Sequence, residues 1–156
     1  MSIPTSISAS TPACVKNAVT GRDIVAEARK WLGVRWRHAG RNRQGIDCVG
    51  LGVVVTQALG ICDYDVTAYS KEPNDELMAH FDRVADRIPV RDARPGDILV
   101  INFRPYPFHA AFLSEQHGAP HIIHAHAGAR QVIEEPYTHD WPTLTSHAFR
   151  LHGVQP

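Results

Sequence analysis

The hydrophobic pattern of this chain changes its period near Pro89. Before this residue, apolar side chains recur at three- and four-residue spacing, which predicts helices over about 23–33, 47–60 and 74–88. After it, short apolar runs separated by Gly or Pro predict five strands, at about 94–103, 108–115, 121–127, 130–137 and 147–153. Helices followed by strands are typical of an α+β fold, here with N-terminal helices packed on a C-terminal antiparallel meander.

Polar residues mark where two of the helices begin. Asp47 is a good N-cap for the second helix, although the valines and glycines that follow it lower the helix propensity. Asn74 or Asp75 is the expected cap of the third helix, whose apolar positions continue to Ile88. The basic stretch 34–45 has no periodicity, so we expect a loop there.

The length of 156 residues suits one domain with one core. Residues 1–20 are polar and unpatterned, which indicates an N-terminal arm that is flexible or contacts a partner. We therefore expect a single domain over 21–156.

Charge and hydropathy exclude several classes of partner. The chain has 16 basic and 16 acidic residues, so its net charge favours neither nucleic acid nor an anionic membrane. No apolar run is long enough for membrane insertion, and the N-terminus lacks the pattern of a secretion signal. We expect a protein that is cytoplasmic as synthesised.

Three cysteines are few and odd in number, which does not suit a disulfide framework and indicates a reducing compartment. At least one thiol is free. Cys48 lies at the start of the second helix, where the helix N-terminus and a nearby imidazolium would lower the pKa of a thiol. Cys62 lies at the far end of that helix, and Cys14 lies in the arm. A nucleophile and a buried core thiol remain alternatives for Cys48 on this reasoning alone.

Two histidines favour the nucleophile. His109 and His124 fall on consecutive predicted strands, so they can lie side by side on one sheet face, one facing the cysteine and the other orienting the first. His126 is the closest rival to His124, two residues further along. A zinc site fits less well, since one Cys and two His supply only three ligands and no Cys-x-x-Cys or His-Glu-x-x-His is present.

Four segments in order, "GIDCVGL", "RPGDILVINF", "FHAAFL" and "IIHAHAG", resemble the NlpC/p60 family of papain-like cell-wall cysteine peptidases. The stretch "WLGVRWRHAGRNRQGIDCVGL" is similar to short members associated with phage tails and gene transfer particles. The resemblance implies a papain-like fold and hydrolysis of an amide bond in peptidoglycan stem peptides, commonly the D-glutamyl link to a diamino acid. The implied partners are the stem peptide and phage-tail proteins, and no metal or organic cofactor is implied.

The resemblance also implies roles for individual residues. Cys48 would be the nucleophile, His109 the general base and acid, and His124 the residue that orients His109. Asp47 would cap the helix and contact a substrate amine. Trp36 stands where many members have Tyr, and Val49 where many have Ser, so two hydroxyls that bind substrate in the family are replaced.

Other functions are compatible with the same fold, because fold does not fix the reaction. One is an interbacterial amidase effector or an acyltransferase. Another is a non-catalytic tail-assembly subunit that docks through the arm.

Overall fold

The computed structural model of the protein describes residues 18–71, 74–103 and 106–156. Cys14 and most of the predicted arm lie outside these residues. The end of the arm belongs to the domain, because strand β1 (Val19–Thr20) pairs in parallel with β10 (Val154–Gln155).

The first two predicted helices are present. Helix α1 (Gly21–Arg29) starts with a capping box, in which the Thr20 side chain accepts from the Asp23 backbone and the Asp23 side chain accepts from the Thr20 backbone. Helix α2 (Cys48–Ala58) is capped by Asp47, as the sequence indicates. Between them, the stretch expected to be a loop contains a short hairpin of β2 (Arg41–Asn42) and β3 (Gly45–Ile46).

The third predicted helix is shorter than expected. Helix α3 (Glu76–Asp82) ends six residues early, and the chain continues as strand β4 (Ala85–Ile88). Ile88 is partly buried as the pattern requires, but it is buried by pairing with the last long strand rather than by another helical turn. The prediction of a helix to Ile88 was wrong because an unpaired sheet edge outweighed a weak local preference.

Six strands form one antiparallel sheet: β4, β5 (Ile98–Phe103), β6 (Tyr106–Gln116), β7 (Ala119–His126), β8 (Gln131–Pro136) and β9 (Thr145–Leu151). Their order is β4-β9-β5-β6-β7-β8. Strands β5 to β8 form the expected meander. The last long strand departs from it, since β9 returns across the sheet and pairs between β4 and β5.

The sheet is covered on both faces, and alternate residues of its strands fill two clusters. Helices α1, α2 and α3 cover the first cluster, which includes Ile24, Leu51, Val55, Val100, Phe112 and Phe149. A short helix that the sequence did not predict, α4 (Asp140–Leu144), covers the second through Trp141 and Leu144; that cluster contains Leu99, Ile101, Ala111, Leu113, Ile122 and Ala148.

The glycines of α2 have a packing reason at one position. A Cβ on Gly50 would lie 2.1 Å from the Gly40 carbonyl oxygen, whereas a Cβ on Gly52 would meet nothing within 4 Å. Gly50 therefore lets the first turn of α2 lie directly against the loop before the hairpin. This contact fixes where the start of α2, and with it Cys48, lies.

Candidate active site

A cavity of about 500 Å³ opens beside the start of α2. Cys48 and His109 both line it, together with Asp47 and His126. Apolar and aromatic walls come from other elements, including Trp36, Tyr69, Leu77 and Phe108. A mainly apolar cavity with a few convergent polar groups has the usual form of a binding site.

The thiol of Cys48 is protonated at neutral pH. Burial among protein atoms, reinforced by the neighbouring Asp47 carboxylate, raises the pKa of Cys48 to about 12. Backbone N–H groups, including that of Ala110 next to His109, oppose this shift without overcoming it. The expectation that the helix start lowers this pKa was therefore wrong, because burial of the sulfur, together with the Asp47 charge, outweighs the backbone N–H groups.

The two predicted histidines are joined directly. His109 Nε2 lies 2.7 Å from His124 Nδ1, and both side chains are buried. Burial, followed by the neighbouring His124 and His126, holds the pKa of His109 well below its usual value. Burial also lowers the pKa of His124, against the opposite effect of Glu135. Both imidazoles are therefore neutral in the free protein.

Sheet geometry explains how strand histidines reach this cavity. Both histidines share a face with the cluster under α4, since His109 alternates with Ala111 and His124 follows Ile122 by two residues. The pairing of β6 with β7 stops at Phe112 and Ile123, although both strands continue beyond that point. The cavity opens where the pairing stops.

His126 is part of the strand rather than of a loop. It pairs with Gln131 at the end of β7, and its ring lies 5.0 Å from that of His124 and 6.3 Å from that of His109, between centroids. Its Nδ1 accepts a hydrogen bond from the Ala129 backbone at 3.0 Å. Of the two rivals, His124 is the one hydrogen-bonded to His109.

The Asp47 carboxylate already accepts four hydrogen bonds from the protein. Two come from the backbone N–H groups of Gly50 at 2.8 Å and Ala39 at 2.6 Å. The others come from the Tyr69 hydroxyl at 2.6 Å and Arg41 Nη1 at 3.4 Å. Since Asp47 is buried as well, a substrate amine would compete with donors already in place.

Tyr69 is a cavity residue that the sequence did not indicate. It lies in the irregular segment between α2 and α3, where no periodicity marks it. Its hydroxyl hydrogen-bonds to Asp47 and to Arg41, and its ring contacts that of His38 edge-on at 5.2 Å between centroids. A phenolic hydroxyl is therefore present beside Asp47, although Trp36 in the same cavity wall has none.

His80 is a second unexpected member of the cavity wall. No sequence pattern distinguishes it from the other histidines of the chain, yet it lines the cavity and hydrogen-bonds through Nδ1 to the Tyr64 hydroxyl at 2.9 Å.

Glu135 extends the histidine pair. Its Oε2 lies 2.9 Å from His124 Nε2, and its Oε1 accepts a hydrogen bond from Trp141 Nε1 at 2.8 Å. Nothing in the sequence singled out either residue, because "RQVIEEPY" reads as an ordinary strand and α4 was not predicted.

Within the described residues, no three His, Cys, Asp or Glu side chains are grouped so that they could hold a metal ion. In the same part of the chain, no helix has the length and hydropathy needed to cross a membrane.

Comparison with solved structures identifies the fold. The NlpC/p60 domain of the peptidoglycan hydrolase SagA matches with a TM-score of 0.57 and 25% identity, over 85% of this chain and 100% of that one. An NlpC/p60 family protein from Bacillus cereus matches with a TM-score of 0.66 and 19% identity, over 86% of this chain and 41% of that one. An N-acetylmuramoyl-L-alanine amidase from Bacteroides uniformis has a TM-score of 0.60 and 11% identity, over 84% and 98%.

No protein-family model matches the sequence, and no curated protein matches it either. The structural matches nevertheless show that the chain has the α+β, papain-like fold of NlpC/p60 proteins, which the four sequence segments predict. Its structural neighbours include NlpC/p60 peptidoglycan hydrolases.

Proposed function

We propose that this protein is a cell-wall hydrolase that cleaves an amide bond in peptidoglycan stem peptides, with the D-glutamyl link to a diamino acid as the expected bond. The observation that carries the proposal is the site itself. The Cys48 thiol at the first residue of α2 and His109 line one cavity, and His109 is hydrogen-bonded to the buried His124, in a fold shared with proteins described as peptidoglycan hydrolases.

The proposed reaction starts from a protonated Cys48 thiol and a neutral His109. As the substrate carbonyl approaches, Cys48 Sγ attacks the carbonyl carbon and its proton passes to His109. The backbone N–H of Cys48 at the helix start stabilises the oxyanion. His109 then gives the proton to the leaving amine nitrogen as the C–N bond breaks, and the same histidine activates water to release the acyl group. His124 holds the ring of His109 throughout.

Substrate is proposed to lie along the cavity walls. Trp36 and Tyr69 offer aromatic surfaces in the cavity that Cys48 lines, and Asp47, whose carboxylate is paired with Arg41, offers a polar group in the same wall. Because the carboxylate is already paired with a cation, a substrate amine is expected to bind Asp47 less strongly than it would bind an unpaired carboxylate.

We propose further that the protein is made in the cytoplasm and reaches the wall in a phage tail or phage-like particle. The support is the resemblance of residues 31–51 to short tail-associated members. Co-purification with tail proteins from the producing cell tests it, and a protein recovered free of any particle would contradict it.

Muropeptide analysis tests the hydrolase. Purified protein is incubated with sacculi under reducing conditions, and the products are identified by mass spectrometry. We expect new amine and carboxyl ends at one amide bond, and loss of this release in Cys48→Ala with the fold intact. Cys62→Ala is the matched control, since Cys62 is a buried thiol of the first cluster and should leave release mostly unchanged.

Each rival function has its own outcome in this experiment. Full release by Cys48→Ala would remove the nucleophile from the proposal. Products joined to a second amine would indicate acyl transfer, and intact sacculi with protein that co-purifies with tail components would indicate a non-catalytic subunit. A producer that encodes a neighbouring immunity protein would favour the effector.

A further inference from the structure

The hydrogen bonds of the histidine pair continue to a carboxylate. His109 Nε2 meets His124 Nδ1, His124 Nε2 meets Glu135 Oε2, and Trp141 Nε1 donates to Glu135 Oε1. The His124 side chain is fully buried, whereas that of Glu135 is 31% exposed. This chain of hydrogen bonds therefore runs from the cavity to a carboxylate near the surface on the α4 side of the sheet.

The direction of each hydrogen bond follows from the carboxylate. Partial burial raises the pKa of Glu135, but hydrogen bonds from His124 and Trp141 outweigh this and hold that pKa below its usual value. An ionised carboxylate only accepts, so the hydrogen between Glu135 and His124 is on His124 Nε2. His124 is neutral, which leaves its Nδ1 as an acceptor.

The same reasoning passes to His109. Since His124 Nδ1 accepts, the hydrogen in the 2.7 Å contact is on His109 Nε2. A neutral His109 with a hydrogen on Nε2 has a lone pair on Nδ1, which is the form able to take the proton of a thiol. The opposite tautomer carries its hydrogen on Nδ1 and cannot take that proton.

We infer that Glu135 is a positioning residue which, held by Trp141, sets the tautomers of His124 and His109 in series and so makes His109 Nδ1 the base. The use of this base in catalysis rests on the proposed function, whereas the tautomers themselves do not. When His109 gains the thiol proton, the positive charge lies at the end of a chain that finishes on the Glu135 carboxylate.

His126 does not join this chain. Its Nδ1 accepts from the Ala129 backbone, so the hydrogen of a neutral His126 is on Nε2. The ring packs against those of His124 and Trp141 at centroid distances of 5.0 and 5.7 Å.

Replacing Glu135 by Gln gives a sharp test because an amide has one oxygen. Trp141 Nε1–H donates to the side chain from one side, so the amide oxygen is expected to face Trp141 and the NH₂ group to face His124. An NH₂ donor requires a lone pair on His124 Nε2, which moves its hydrogen to Nδ1 and forces the hydrogen of His109 from Nε2 to Nδ1. Glu135→Gln should therefore invert both tautomers.

The measurement is long-range ¹H–¹⁵N NMR of the imidazole nitrogens, which distinguishes the two tautomers of each ring. Signals are assigned from His109→Gln and His124→Gln. The wild type should show hydrogen on Nε2 of both rings, and Glu135→Gln should show it on Nδ1. Turnover of muropeptides in that variant should fall on the order of 10²- to 10⁴-fold, the usual contribution of a general base.

A double variant supplies the rescue. In Glu135→Gln with Trp141→Phe, the competing donor is gone while an aromatic ring remains against His124, so the amide oxygen can turn to His124 Nε2. We expect both tautomers to return and turnover to recover at least roughly tenfold over Glu135→Gln, which is part of the 10²- to 10⁴-fold contribution of a general base. Glu134→Ala is the matched control, because Glu134 is also a hydrogen-bonded carboxylate of β8 but pairs with Arg29.

The outcomes separate this inference from the proposed function. Unchanged tautomers in Glu135→Gln would overturn the inference even in a protein that digests sacculi. Inverted tautomers in a protein that digests nothing would support the inference and count against the hydrolase alone.

Discussion

The raised pKa of Cys48 makes a prediction that needs no substrate. If the thiol is protonated and His109 is neutral in the free protein, alkylation of Cys48 by iodoacetamide should depend steeply on pH, because the thiolate is the species that reacts. A preformed thiolate–imidazolium pair would instead react at nearly the same rate at every pH near neutrality.

The expected slope follows from the pKa of about 12. Far below the pKa, the thiolate fraction rises tenfold with each pH unit, so the alkylation rate should rise roughly 100-fold between pH 7 and pH 9. An ordinary thiol with a pKa of about 8.5 is already mostly ionised at pH 9, which limits its rise to about 25-fold.

The assay is peptide mapping by mass spectrometry after timed alkylation, with Cys48→Ala as the background for the other cysteines. Asp47→Asn is the second arm, because it removes the charge that helps raise the pKa of Cys48 while keeping an oxygen for the helix cap. It should alkylate faster than the wild type at any pH in the range. A wild-type alkylation rate that does not change from pH 6 to pH 8 would refute the conclusion that Cys48 is protonated and His109 neutral in the free protein.

Two further predictions use neighbouring residues as controls for each other. Muropeptide release should fall roughly 10²-fold in His124→Ala and less in His124→Asn, which can still form one hydrogen bond to His109. In His126→Ala, which loses ring contacts but no hydrogen bond to His109, release should fall less than about tenfold. The reverse ranking would exchange the two roles. In thermal unfolding, Gly50→Ala should destabilise by about 1–3 kcal/mol, since its Cβ meets the Gly40 backbone, and Gly52→Ala should stabilise by about 0.5–1 kcal/mol; equal effects would contradict the packing at the start of α2.

The parts of the fold that the sequence predicts best are those fixed locally. Asp47 was predicted as the cap of α2, and the meander β5 to β8 follows from apolar runs separated by turn residues. The placement of β9 between β4 and β5 depends on pairing across more than forty residues, which no local pattern encodes. The same pairing turned the end of the third predicted helix into β4.

The candidate site divides in a similar way. His109 and His124 could be paired from sequence because they lie on consecutive antiparallel strands. Glu135 could not, because its link to His124 runs diagonally between neighbouring strands and depends on Trp141, from a helix too short to show a period. Tyr69 lies in a segment without any regular element, so its position beside Asp47 is a purely tertiary result.

The wrong expectation about Cys48 has a specific physical source. The helix N-terminus lowers the pKa of a thiol when its positive end is uncompensated. In this protein burial of the sulfur raises the pKa of Cys48, and the carboxylate of Asp47, which caps the helix, raises it further. Proton transfer from a neutral thiol to a neutral imidazole is therefore unfavourable until a substrate carbonyl reacts with the thiolate. In the proposed reaction the tautomer of His109 matters more than its charge, because the lone pair on Nδ1 must be in place before any proton moves. In the proposed reaction, the partly exposed contact between His124 and Glu135 on the α4 side of the sheet therefore affects the chemistry in the cavity.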